Sequence, residues 1–248
     1  MPVAATISPV QSDVQAALYA FLTDVTGLPN GQIIAADPNR VPEPSAPTFI
    51  IMSSLRFERV DTNRDATGDV RFTGSIAAGA PAVLTVSAVS FGSITPGMPV
   101  LGPGVAPLTL VVAQLSGTPG GVGTYSVNIS QTIASEVMSG GTTIVTTSYI
   151  ETMQIDFHSA DYSASALAQT VATLFRDTYA VNFFANLPSP QNNVTPLYCE
   201  DAIRIPFIND QNQYERRWTL DVKLQVDQTV SVPQTYDDSV VVSPYFVP

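Results

Sequence analysis

Charged residues almost vanish from the middle of this 248-residue chain. Between Arg71 and Glu151 the only charged side chain is Glu136, although the flanking stretches are charged like an ordinary soluble domain. Twelve of the 15 glycines also lie there, in a Thr, Ser, Val and Ala background that is typical of all-β modules with tight turns. We therefore predict a β domain at residues 73–142, inserted into a host domain formed by residues 1–72 and 143–248.

Charge and cysteine content narrow the classes of function. Acidic residues outnumber basic ones by 21 to 10, and Lys223 is the only lysine. Because no basic surface can neutralise many phosphates, tight binding to nucleic acid is disfavoured. The chain has no apolar run of about 18 residues that would span a membrane, and residues 1–10 do not resemble a signal peptide. The single Cys199 cannot form an internal disulfide, which favours a reducing compartment.

Two amphipathic helices are predicted in the host domain. The first is expected to begin with Ser8 as its cap and Gln11 completing a capping box, and to end at Gly27. Its apolar residues recur at helical spacing: Val10, Val14, Ala17, Leu18, Phe21, Leu22 and Val25. The second is predicted as one continuous helix from about residue 163 to the prolines at 188 and 190, with Arg176 on its solvent side.

Alternating apolar and polar residues predict the sheet of the host domain. Strands are expected at residues 48–59, 149–158, 196–206 and 214–232, and the last of these carries the strongest period-two pattern in the chain. Residues 61–71 are predicted as a polar, hairpin-like tip. The host is thus predicted as α+β, with a mixed or antiparallel sheet packed by the two amphipathic helices.

Three further segments are predicted as connections or arms. The proline-rich residues 36–47 are expected to form an extended surface loop, and residues 209–212 a turn. The tail, residues 235–248, alternates valines, aromatics and prolines, and is expected to be an extended arm that lies on its own domain or reaches a neighbour.

The predicted insert contains short β-prone runs separated by glycine-rich turns. These runs lie at residues 82–89, 98–101, 108–115, 124–129 and 132–138. Their spacing predicts a small sandwich or barrel.

Evidence for chemistry is sparse. His158 is the only histidine, and Asp156 with Asp161 nearby gives too loose a set of ligands for a metal or a catalytic triad. Cys199 has no cationic neighbour in sequence that would lower its pKa. The glycine run at residues 120–123 lacks the Lys-Ser/Thr of a phosphate loop and is predicted to be a turn. We expect no catalytic residue, no metal and no cofactor.

Two sets of residues are candidates for contacts. Arg216 and Arg217, at the start of the last strand, could pair across a subunit interface with acidic loops or could be ordinary solvated charges. The acidic candidates are Asp61, Asp65 and Asp69. On the insert, Phe91 and Tyr125 are candidate surface aromatics that could stack on a ligand.

Two resemblances point to bacteriophage particles. The order of elements, together with Asp13-Val-Gln-Ala-Ala-Leu18, Tyr162-Ser-Ala-Ser-Ala-Leu-Ala168 and Tyr214-Glu-Arg-Arg-Trp218, resembles the neck or tail terminator proteins of long-tailed phages. Separately, residues 115–125 followed by Ser130-Gln-Thr132 resemble a glycine-rich β module that recurs in phage virion proteins.

The first resemblance implies a ring, usually of six copies, in the virion neck. Such a ring would cap the tail tube and join it to the head–tail connector, with the sheath protein as a further candidate partner, and would be assembled in the cytoplasm of the host bacterium. The acidic balance would let DNA pass through the lumen without specific binding. Two alternatives stay open: a binding module whose insert recognises a host-surface glycan or another virion protein, and a hydrolase that uses His158.

Overall fold

The computed structural model describes residues 5–36, 44, 46–208 and 214–234. Its helices are α1 (Gln11–Thr26), α2 (Ser163–Phe175) and α3 (Thr178–Ala185), with a single 3-10 turn at Gln191–Asn193. The strands, in chain order, are β1 (Thr6–Ser8), β2 (Ile33–Ala35), β3 (Thr48–Arg59), β4 (Arg64–Ala77), β5 (Ala82–Phe91), β6 (Val111–Gly117), β7 (Gly123–Val127), β8 (Ile133–Ser159), β9 (Val194–Cys199), β10 (Ile203–Ile208) and β11 (Tyr214–Pro233). The predicted α+β class is confirmed.

The chain divides into two compact units. The helical unit comprises Ile7–Asn63 and Thr146–Thr229. The strand unit comprises Arg64–Val145 with the described residues 5–6 and 230–234. Strands β8 and β11 each contribute residues to both units. The division of the chain into a host and an inserted domain at 73–142 stays a prediction.

The sheet of the helical unit is built around the neighbouring strands β8 and β11. Strand β3 pairs antiparallel with β8, and the short β2 pairs parallel with the first half of β3. On the other side, β9 and β10 pair antiparallel with successive parts of β11. The order in this unit is therefore β2–β3–β8–β11, with β10 and β9 one after the other along the far edge of β11.

One face of this sheet is covered by the three helices. The alternating residues of β8 and β11 that point to this face are fully buried: Met153, Ile155, Phe157, Leu220, Val222, Leu224 and Val226. The predicted alternation of both strands is thus confirmed. Phe21 of α1 lies at the centre of the helical layer, with its ring centroid 5.8 Å from that of Phe175 and 5.5 Å from that of Phe184. Helices with one apolar stripe require such a flat apolar partner.

The start of α1 differs from the prediction, whereas its end agrees with it. The cap residue is Val10, whose N–H donates to Asp13 Oδ2 at 2.8 Å, so Asp13 takes the role that was assigned to Ser8 and Gln11. Ser8 instead belongs to β1, and the hydroxyl of Thr229 donates to its carbonyl oxygen at 3.1 Å. At the other end Gly27 adopts the left-handed conformation, with φ of 65°, as a helix-terminating glycine does.

The second predicted helix is two helices, so the prediction of one continuous helix was wrong. Helix α2 ends at Phe175, and Asp177 then caps α3 by accepting a hydrogen bond from the N–H of Tyr179 at 2.9 Å. Arg176, at the break, donates to the carbonyl oxygen of Cys199 at 2.8 Å and to Asp201. A carboxylate that can cap a helix at an internal position offers the backbone an alternative to continuing the helix, and here that alternative is used.

Two strand predictions also needed correction. The polar stretch at residues 61–71 is not a hairpin tip, because β4 already begins at Arg64. The strand predicted at residues 196–206 is two strands, β9 and β10, which pair with different parts of β11. By contrast, the predicted strand at residues 48–59 is confirmed as β3. Most of the loop at residues 36–47, the turn at residues 209–212 and the tail at residues 235–248 lie outside the described residues.

The strand unit has its own apolar core. Its strands follow the order β8–β4–β5–β7–β6, and the large side chains at the centre of its core are Phe72, Leu84, Met98 and Tyr125. Residues 98–101 form only isolated bridges, at Pro99 with Leu110 and at Leu101 with Ser139. The glycine-rich residues between β6 and β7 form the connection of a hairpin, which confirms the predicted turn. A sandwich or barrel stays a prediction.

We expect Phe21→Ala to lower the free energy of unfolding by about 3–5 kcal/mol, because it leaves a cavity among the aromatic rings of the helical layer. The matched control is Phe91→Ala, since Phe91 is 55% exposed and its loss should cost less than about 0.5 kcal/mol. Urea unfolding of both variants measures the difference. Equal losses would contradict the placement of the core.

Candidate functional site

Arg217, a candidate interface residue, is held by its own chain. Its Nη2 donates to Asp156 Oδ2 at 2.6 Å, and the hydroxyl of Thr219 donates to Asp156 Oδ1 at 2.7 Å. The Asp156 side chain is 8% exposed and that of Arg217 is 23% exposed. These residues lie on the sheet face opposite the helices, where β8 and β11 are neighbours. A charge pair this deeply buried fixes the register of two strands more readily than it binds a partner.

His158, the candidate for a hydrolase, lies beside this pair and is buried. Its ring stacks on that of Phe49, with the centroids 4.6 Å apart and the planes 9° apart. Burial lowers the pKa of His158 below its ordinary 6.5, against the opposing effect of Asp156 and with a small further lowering by Arg217. The imidazole is therefore neutral at neutral pH and is only 3% exposed. This is the packing of a structural histidine.

Arg216 contacts an exposed aromatic ring. Its guanidinium carbon lies 3.9 Å from the ring centroid of Tyr162, which is 75% exposed, and its Nη1 donates to the carbonyl oxygen of Ala160 at 3.4 Å. Hydrogen bonds from Ser163 hold the pKa of the neighbouring Asp161 carboxyl below its ordinary value. Asp161 accepts a hydrogen bond from the N–H of Ser163, the first residue of α2, at 2.8 Å. Arg216 therefore contacts the segment that leads into α2.

The acidic interface candidates lie at the end of β3 and on β4. Asp61 accepts hydrogen bonds from the N–H of Ser148 at 2.7 Å and from the hydroxyl of Thr147 at 3.3 Å. Asp65 and Asp69 are exposed on the first half of β4, in the strand unit. Whether Arg216, Arg217, Asp61, Asp65 and Asp69 meet across subunits stays a prediction.

The two candidate aromatics of the strand unit have opposite environments. Phe91 is 55% exposed at the end of β5, as a surface residue should be. Tyr125 is fully buried, and its hydroxyl donates to the carbonyl oxygen of Gly121 at 2.6 Å. The expectation that Tyr125 is exposed was therefore wrong, because its ring fills the core and its hydroxyl closes the glycine-rich turn.

Sequence reasoning missed an apolar surface at the end of β3. Leu55, Phe57 and Val60 are 51%, 54% and 57% exposed, and we call these three residues the β3 patch. Beside it lies a pocket of about 430 Å³, lined by Gln11, Phe57, Arg59, Asn63, Thr147, Tyr149 and Gln228. The signal was present in the sequence, because apolar and charged side chains alternate from Leu55 to Glu58.

A buried carboxylate lies next to this pocket. Glu151 is fully buried, and its Oε1 accepts a hydrogen bond from the hydroxyl of Ser54 at 2.7 Å. Burial, with a smaller contribution from Glu151, raises the pKa of Tyr149 to about 12. The phenol of Tyr149 thus stays neutral over the working range of pH, and its ring packs against the edge of Phe57 with centroids 5.4 Å apart.

Other chemistry-bearing groups are structural in the described residues. Arg176 is a cationic neighbour of Cys199 that the sequence did not reveal, yet burial dominates and raises the pKa of this thiol. Within the described ranges, no cluster of three or more His, Cys, Asp or Glu side chains is arranged to hold a metal ion. None of the described helices has both the length and the apolar character needed to cross a membrane.

We expect Arg217→Met to lower the free energy of unfolding by about 3–5 kcal/mol, since it leaves the Asp156 carboxylate buried without its countercharge. Arg56→Met is the matched control, because Arg56 and its partner Glu58 are 62% and 59% exposed and such pairs contribute little. Denaturant titration gives both values. A small effect of Arg217→Met would show that the pair is not structural.

The lowered pKa of His158 predicts how stability responds to acid. As pH falls through 6.5, the unfolded chain binds a proton that the folded chain does not bind until a lower pH. The contribution of His158 to stability is therefore complete above pH 6.5 and is lost as pH falls toward the folded-state pKa. We expect His158→Gln to reduce the fall in unfolding free energy between about pH 7.5 and 5.5. An unchanged slope in that variant would contradict the assignment.

Two comparisons with known proteins bear on the function of this chain. A search of curated proteins finds no match to this chain. A family model described as phage neck terminator protein matches residues 93–244, which is more than half of the chain. The matched region begins inside the predicted insert and continues through the last described strand. The resemblance to phage neck and tail terminator proteins is confirmed, and the chain belongs to the phage neck terminator family, a family of structural proteins of the phage particle.

Proposed function

We propose that this protein forms a ring, of six copies, at the neck of a long-tailed phage, where it stops growth of the tail tube and joins the tube to the head–tail connector. The observation that carries the proposal is the match to the phage neck terminator family over residues 93–244. Membership of that family implies contacts with other neck and tail proteins. The proposal adds the number of copies, six, and two particular partners, the tail tube and the head–tail connector.

A ring of this kind works by displaying different surfaces on its two sides. Each subunit presents one face to its neighbour in a contact that closes on itself, and another face to the last ring of the tube. Tube growth stops because the far side of the terminator does not display the surface on which the tube subunit polymerises. No bond is made or broken in this mechanism, which needs only shape and repetition.

The charge of the chain suits the passage of DNA through such a ring. Its net charge is −11, with Lys223 as the only lysine. Like charges repel across a distance set by ionic strength, so a polyanion would pass through the lumen without adhering to it. We propose assembly in the host bacterial cytoplasm, with the sheath protein as a further partner in a contractile tail.

The alternative function, recognition of a glycan or another virion protein by the strand unit, has less support. It relied on two surface aromatics, and only Phe91 is exposed. A single exposed ring does not make a stacking platform of the kind that binds sugars or flat ligands. The hydrolase alternative is weaker still, because His158 is buried against Phe49.

The ring is tested by the mass of the native protein in solution, alone and with its tube protein. Six copies of the 26.3 kDa chain predict a particle of about 158 kDa. Native mass spectrometry resolves the copy number, and light scattering checks it at higher concentration. A protein that stays at 26.3 kDa in the presence of the tube protein contradicts the proposal.

A further inference from the structure

We infer that neighbouring subunits join through the β3 patch of one copy and the exposed strand β10 of the next. The inference rests on the proposed ring and names the two surfaces that would build it. The occupant of the β3 patch is thus a second copy of this chain.

The β3 patch has the character of the centre of an interface. Leu55, Phe57 and Val60 are each more than half exposed, and they follow one another on the strand and the turn after it. The 430 Å³ pocket beside Phe57 offers space for an inserted side chain. Aromatic residues next to a pocket are frequent centres of binding energy in protein interfaces.

Strand β10 offers an apolar surface of matching type. Ile203 is 62% exposed and Ile205 is 38% exposed, and the residues from Ile203 to Pro206 are all exposed. One edge of the strand pairs with β11, where Ile203 lies opposite Thr219 and Ile205 opposite Arg217. In the described part of the chain no further strand pairs with β10. An isoleucine pair on an edge strand costs solubility unless another surface covers it.

The positions of the two surfaces favour a contact that repeats in one direction. The β3 patch lies past the end of β2, which pairs only with Ile50, Ile51 and Met52 of β3, and β10 lies at the opposite edge of the sheet of the helical unit. Two different patches that bind each other form a heterologous contact, so each bound copy presents a fresh patch to the next. Such a contact produces a closed ring when the rotation between copies divides a full turn.

The charges around the two surfaces are complementary. Arg56 and Glu58 flank Phe57 and are 62% and 59% exposed, while Arg204 lies between the two isoleucines of β10. Glu200 and Asp201 precede β10 and are exposed. Within one copy Arg56 pairs with Glu58 at 3.0 Å and Asp201 pairs with Arg176 at 2.8 Å. These exposed pairs can exchange partners on assembly, so that Glu58 faces Arg204 of the next copy and Arg56 faces its Glu200. Pairs at the rim of an interface contribute more to register than to affinity.

Two single variants and their mixture test the inference. Phe57→Asp destroys the β3 patch but leaves β10 intact, whereas Ile203→Asp does the reverse. Ile203 is 62% exposed, so Ile203→Asp should keep the thermal midpoint of the wild-type protein. Phe57 is 54% exposed but packs on Tyr149 and lies opposite the buried Glu151, so Leu55→Asp, at a second exposed residue of the β3 patch, is tested beside Phe57→Asp and should behave in the same way. Under conditions in which the wild-type protein forms a ring, we expect each variant alone to be a single copy. A one-to-one mixture should give a pair of copies at twice 26.3 kDa, because one intact contact remains.

The matched control is Val181→Asp, since Val181 is an apolar residue of α3 that is 46% exposed and lies in neither surface. It should keep the ring. Rings formed by Phe57→Asp or Ile203→Asp would overturn the inference and leave the proposed function standing. Single copies that the mixture fails to pair would also overturn it, and would assign the patches to another occupant such as the tube protein or residues 235–248. A wild-type protein that forms no ring with its tube protein present would instead refute the proposed function.

Discussion

The helical unit depends on the neighbouring strands β8 and β11, which are buried on both faces by opposite kinds of chemistry. One face packs Phe157, Leu220 and their neighbours under the helices, where the hydrophobic effect is the driving force. The other face buries Asp156 against Arg217 and Thr219, where hydrogen bonds must be satisfied. The apolar face supplies stability, and the polar face penalises any slip in register, because a one-residue shift would exchange the two faces. This pair of strands makes the sheet rigid enough to present surfaces at its edges.

The proposed subunit contact uses surfaces at those edges rather than a cavity with reactive groups. The side chains that were considered as catalytic or metal-binding candidates make structural contacts instead. His158 stacks on Phe49, Cys199 lies under α2, and Asp156 pairs with Arg217. Among the apolar side chains that the described residues leave exposed, the β3 patch lies at the end of β3, and Ile203 with Ile205 lies on the edge strand β10. Exposed apolar surface of this kind marks sites of contact with other proteins. That distribution agrees with membership of a family of structural neck proteins.

The elements were predictable from the sequence wherever one local pattern decided them. The strand at residues 48–59 and the end of α1 at Gly27 follow from β-forming residues and from the conformational freedom of glycine. The break between α2 and α3 was missed because Asp177 reads equally well as a solvated helix residue or as a cap. The partner of Arg217 was missed because the register between β8 and β11 is a long-range property that no local pattern contains. Tyr125 was placed on the surface because a tyrosine beside a glycine-rich turn gives no sign that its ring fills a core.

The account holds that this chain acts in the phage neck through shape and repeated self-contact. The most direct test is an electron cryo-microscopy map of the intact particle at a resolution that distinguishes side chains. The account predicts a closed ring of this chain between the last ring of the tail tube and the head–tail connector, with the β3 patch of each copy covered by its neighbour. A map that places isolated copies on the outside of the head or at the tip of the tail would contradict it.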